Sequence, residues 1–169
     1  MGDGPAAAKA YNRAAACVAV AGPSPRRQLE GFIDAYSPEV AALGRAILEK
    51  LRERLPGMVE LVYDNAQWLV VGFSPSGRPS DACFSVVFQP RKVSMVFLHG
   101  ARLDDPEGLL NGSGRQVRNL QLPDPAVLDR PAVRRLMEQE LAGAPEWDRA
   151  RRPQVVVRAI SAKRRPRRP

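Results

Sequence analysis

The chain reads as an α+β domain: an antiparallel β-sheet of about five strands flanked by N-terminal and C-terminal helices. Three observations predict this. Apolar residues recur at helical spacing in residues 37–55 and again in residues 129–141. Between these segments lie short strand-like runs at residues 59–64, 67–73, 83–88 and 93–98, separated by turn-forming residues. Helices near both ends with a meander between them give an α+β domain with an antiparallel sheet.

Taken in order, residues 1–27 are Ala-rich, end in Gly22-Pro23-Ser24-Pro25 and read as a mobile arm. A short amphipathic segment occupies residues 29–36. Ser37-Pro38 then opens a helix, because Ser can accept from free backbone N–H groups and Pro suits the first helical position. Val40, Leu43, Ile47, Leu51 and Leu55 form its apolar stripe, and Pro56-Gly57 stops it. In residues 59–64, Val59, Leu61 and Tyr63 alternate with Glu60, Val62 and Asp64. Residues 75–81 are a polar loop, and residues 89–92 (QPRK) join two apolar strands as a hairpin. Residues 116–122 alternate less cleanly and give a fifth strand. Asp129-Arg130-Pro131 opens a second long helix with Val133, Leu136, Met137 and Leu141 on one face, ended by Gly143-Ala144-Pro145. Residues 154–160 (QVVVRAI) read as a late edge strand, and the tail after them is too basic and Pro-rich to pack.

The chain has 169 residues and fits one domain, residues 28–148, with an arm at 1–27 and a basic extension at 149–169. Its net charge of +8 is unevenly spread. Residues 1–27 carry +3 and residues 149–169 carry +9, whereas residues 28–148 hold 13 basic and 17 acidic side chains and carry −4. A partner drawn by bulk charge meets the ends first. Cys17 and Cys83 lie far apart and form no CxxC pair, which fits a reduced, cytoplasmic protein. No apolar run approaches the ~18 residues of a membrane span. Residues 14–21 are apolar but short and lack a strongly basic leader, so they read poorly as a signal peptide.

Residues 92–118 hold the densest mixture of turn-forming and charged residues. Gly108, Gly112 and Gly114, with Arg115 and Arg118, have the parts of an anion site, and Arg102 lies in the same loop. The spacing is not that of a P-loop, and no cofactor is expected. The competing reading is a plain loop whose arginines pair with neighbouring carboxylates. Asp104, Asp105 and Glu107 are candidate ligands for a hard cation, set against ordinary turn chemistry at Asp-Asp-Pro. Tyr63 and Asp64 end a strand where polar side chains can face a cleft; the competing reading is a hairpin turn at Asp64-Asn65. His99, the only histidine, reads as a strand-end residue, and Cys83 as a buried thiol. No nucleophilic triad is arguable. Lys163, Arg164, Arg165, Arg167 and Arg168 are candidate phosphate contacts for nonspecific nucleic-acid binding, although no aromatics interleave them.

Three stretches carry a family resemblance. They are Glu60-Leu61-Val62-Tyr63-Asp64-Asn65 with Gly72-Phe73-Ser74-Pro75, then residues 97–118 (FLHGARLDDPEGLLNGSGRQVR), then the ending SAKRRPRRP. Together they resemble the YdhG-like domain family of small bacterial proteins, over residues 29–141 and the tail. The chain departs from the family pattern at Asn111, where Glu is common, and at Ala66-Gln67, where an aromatic and Asn are usual. The resemblance implies a compact α+β fold. It also implies a link to iron handling, since one member is described as a frataxin-like iron chaperone. The expected function is a non-catalytic binding module for a small anionic ligand or a protein partner. Its site is expected around Tyr63, Asp64 and residues 100–118. An iron chaperone using Asp104, Asp105 and Glu107, and nucleic-acid association through the tail, are the alternatives.

Overall fold

The computed structural model describes residues 22–163 and 165–169. Most of the expected N-terminal arm, with Cys17, and Arg164 of the tail lie outside the described residues. The helices are α1 (Pro25–Ile33), α2 (Pro38–Arg54) and α3 (Pro131–Ala142). The strands are β1 (Val59–Asp64), β2 (Leu69–Ser74), β3 (Phe84–Gln89), β4 (Lys92–Phe97), β5 (Arg118–Gln121) and β6 (Gln154–Ile160). Both early helices start as their sequences dictate. Ser24 accepts from the Arg27 N–H and Ser37 from the Val40 N–H, each followed by Pro at the first helical position. Among the described residues no helix is long and apolar enough to cross a membrane.

The α+β class is as expected, but the sheet differs in two respects. It has six strands, in the order β5-β4-β3-β2-β1-β6. It is also mixed: β1 to β5 pair antiparallel as a meander, whereas β6 lies parallel to β1, with Val59 opposite Gln154 and Val62 opposite Val157. A run such as QVVVRAI shows that a strand forms but not which edge it joins or in which direction. Parallel pairing is set by a long crossover, here the path through β5 and α3.

Register fixes the two faces of the sheet. Val62, Val71, Val86, Met95 and Leu120 form one row across five strands, and every member is buried. Phe73, Phe84 and Phe97 form the next row on the same face, with the Phe84 and Phe97 rings edge to face at 5.5 Å. Helix α2 crosses this face over β3 and β4 and buries Val40, Ala41, Ile47, Leu48 and Leu51 against it. Gly44, mid-helix, sits on the ring of Phe88: a Cβ there would lie 1.9 Å from Phe88 Cε1.

Glu60 and Asp64, at the two ends of β1, lie on this covered face, 3% and 0% exposed. Burying a carboxylate is costly unless it is paired. Glu60 receives Arg52 of α2 through Nε and Nη2 at 2.7 and 2.8 Å. Asp64 receives Arg167 of the C-terminal tail. The tail therefore packs, contrary to the expectation from its composition. Arg167 is 5% exposed, the Arg165 N–H donates to the Ala66 carbonyl at 2.7 Å, and Arg168 donates to the carbonyls of Tyr36 and Asp34. A guanidinium tolerates burial where a carboxylate and an aromatic face receive it.

Candidate functional site

The turn after β4 brings together residues that are distant in the chain. His99 precedes a 3₁₀ turn, Gly100–Arg102, that folds back against β5. Gly100 permits this approach, since a Cβ there would lie 2.5 Å from Arg118 Cβ. Two neighbouring side chains of α3 grip the turn. Glu140, 4% exposed, accepts through Oε1 from the His99 backbone N–H at 3.0 Å and from the His99 ring Nδ1 at 2.9 Å. Gln139 accepts from the Asp104 N–H at 2.8 Å and donates to the Asp104 carbonyl at 3.1 Å. Residues 99–104 are thus held at both ends by one helix.

His99, Arg102, Leu103, Gln139, Glu140, Ala142 and Gly143 line an open cleft of about 370 Å³. A carboxylate only accepts, so the Glu140 contact places the Nδ1 proton on His99 and leaves Nε2 for a ligand. Glu140 Oε2 is buried and makes no hydrogen bond among the described residues. Cys83 lies nearby. Its thiol is pushed up to about 11, first by burial and then by the charges of Glu140 and Asp81, so it stays protonated near neutral pH. The cleft therefore offers an imidazole held through Nδ1 and a guanidinium.

The expected site residues separate into groups. Arg102 lines the cleft. Gly112 has a φ of +120°, and Gly114 and Arg115 are exposed in the loop before β5. Arg118 turns inward on that loop, with Nη1 donating to the Gly114 and Val117 carbonyls at 2.5 and 2.8 Å, and so braces the loop. The three acids diverge. Asp105 accepts from the N–H groups of Leu109 and Leu110, Glu107 pairs with Arg130 and Arg135, and Asp104 is engaged through its backbone by Gln139. Among the described residues, no three His, Cys, Asp or Glu side chains group as they would around a metal ion.

Tyr63 and Asp64 do not join residues 100–118. They are successive in β1 and face opposite sides of the sheet. Asp64 aligns with Leu69, Phe88 and Val93, whereas Phe97, which leads to His99, aligns with Phe84, Phe73 and Glu60. Two strands also intervene, which places Asp64 and the cleft at opposite ends of the sheet and roughly 14 Å apart across it. In the tail, Lys163 and Arg165 are exposed, whereas Arg167 is buried on Asp64 and is not presented to a phosphate backbone.

The sequence reading missed Glu140 as a functional residue, though a signal was present. Glu140 falls on the stripe Val133, Leu136, Met137 and Leu141, where an apolar residue is expected. No protein-family model, curated protein or solved structure matches the chain.

Proposed function

We propose that this chain is a non-catalytic binding module of the YdhG-like type and that it receives a small anionic ligand in the His99–Arg102 cleft. The observation that carries this reading is the grip of Glu140 and Gln139 on residues 99–104. It fixes the imidazole and holds, between its two ends, the backbone that carries the exposed Arg102 side chain. A guanidinium carried on a held turn binds an anion with less entropic cost of ordering a loop, and the His99 imidazole adds an Nε2 donor when it is protonated. The protonated Cys83 thiol favours binding over covalent chemistry.

The test uses the full chain, with inorganic phosphate and citrate as probes at constant ionic strength. A saturable rise in Tm is expected. Arg102→Ala should abolish it and Arg115→Ala should leave it intact. An Arg102→Ala protein that responds like the wild type would end the reading.

A further inference from the structure

The opposite end of the sheet holds a second, independent arrangement. Asp64 Oδ1 accepts from Arg167 Nη2, which also donates to the Asn65 carbonyl at 2.9 Å. The guanidinium carbon of Arg167 stands 5.1 Å from the centroid of the Tyr36 ring. A planar cation is thus held by a carboxylate at its edge, a carbonyl beside it and an aromatic face.

The walls of this socket belong to the core. The Tyr36 hydroxyl donates to the Phe88 carbonyl at 3.1 Å and accepts from the Leu69 N–H at 2.9 Å. Its ring packs on Phe88 at 5.6 Å. Asp64 is paired within the sheet to β2 on one side and to β6 on the other. The hydroxyl and ring contacts of Tyr36 and the pairing of Asp64 with β2 involve none of residues 161–169, so these walls remain when that segment leaves, although the Asp64 and Tyr36 carbonyls then lose the Ser161 and Arg168 donors. The occupant, by contrast, fits incompletely. Arg167 Nε and Nη1 are buried and make no hydrogen bond among the described residues. Buried donors without acceptors weaken the occupant's hold and favour exchange.

We infer that the Asp64–Tyr36–Asn65 end of the sheet is a recognition socket for an arginine side chain. Arg167 fills it in cis, and the external ligand is an arginine presented by a basic, proline-containing peptide like residues 161–169 themselves. The guanidinium, not charge alone, is selected, because the Tyr36 ring offers its face to a flat, delocalised cation; both acceptors take the same nitrogen, Nη2, so the aromatic face makes the distinction from an ammonium. Tethering gives Arg167 a high effective concentration, so the intact chain hides the site from competitors.

The test uses full-length Arg167→Ala, with methylguanidine, arginine amide and methylamine as millimolar probes at matched ionic strength. Methylguanidine and arginine amide should raise its Tm saturably, and methylamine should not. The wild type, whose socket is filled, and the Asp64→Asn/Arg167→Ala double variant should not respond. If Arg167→Ala does not fold, Arg167→Lys serves instead, since it keeps the charge and loses the planar group that lies on Tyr36; the same selectivity is expected. A synthetic peptide of residues 161–169 should bind the variant at least tenfold more tightly than arginine amide. No guanidine-specific rise in either variant, or an equal rise in the Asp64→Asn background, would overturn the socket. Equal binding of peptide and arginine amide would overturn the peptide ligand.

Discussion

Replacing Gly44 by Ala should destabilise this protein, although the same change in an isolated helix would stabilise it. In a helix interior, Ala is favoured over Gly by about 1 kcal/mol. Here the added Cβ would stand 1.9, 2.4 and 2.9 Å from Cε1, Cζ and Cδ1 of Phe88. Carbon atoms in contact prefer about 3.5–4 Å, so ring and helix must separate by roughly 1.5 Å. The ring has little room to give: Phe88 is fully buried, in the middle strand pair of the sheet, and its ring contacts Tyr36. Overpacking of this kind costs about 1–3 kcal/mol, and the rigidity of the site argues for the upper end. The net loss is therefore about 2 kcal/mol. Urea unfolding followed by circular dichroism measures it directly. Phe88→Leu in the same background should recover part of the loss, as a coupling of about 1 kcal/mol or more in the double-mutant cycle. A Gly44→Ala protein as stable as the wild type would refute the packing argument.

Other perturbations test other parts of the fold. Arg52→Ala leaves Glu60 buried without its bidentate partner and should cost about 3 kcal/mol in the same urea assay. In a Cys17→Ser background, Cys83 should react with a maleimide far more slowly in the native state than in denaturant at pH 7.5, because its thiol is both buried and pushed up to about 11. Asp129, held below its ordinary value by Lys50 and then by Arg54 and Arg134, contributes stability that is present above the unfolded carboxyl value. That contribution is lost as the pH falls through the lower folded value, so the Tm difference between wild type and Asp129→Asn should shrink toward zero in acid.

The parts of the fold legible in the sequence were those with local causes. The stripe of α2, the Ser-Pro helix starts and the meander of β1 to β4 each follow from neighbours a few residues apart. What stayed hidden depends on partners far along the chain. Asp64 and Arg167 are separated by more than a hundred residues, and nothing in the alternation of β1 shows that both of its acids face the covered side. The cleft was half legible. Arg102 and His99 stand in the segment where a binding surface was expected, but the helix that fixes them announces itself only through one acid, Glu140, on an otherwise apolar stripe. The glycines and arginines of residues 112–118 drew attention through composition. Arg118, however, is spent on carbonyls of its own loop.

The parallel pairing of β6 with β1 has a consequence during synthesis. β1 ends at Asp64 and its outer neighbour begins at Gln154, 90 residues later. At ordinary elongation rates the ribosome needs about 5 to 20 s to cover that interval. Throughout it, β2 can zip onto one side of β1 while the other side presents open N–H and C=O groups, the kind of edge that recruits foreign strands. The nascent chain is thus most vulnerable to mispairing at its first strand, and the emergence of β6 ends that vulnerability.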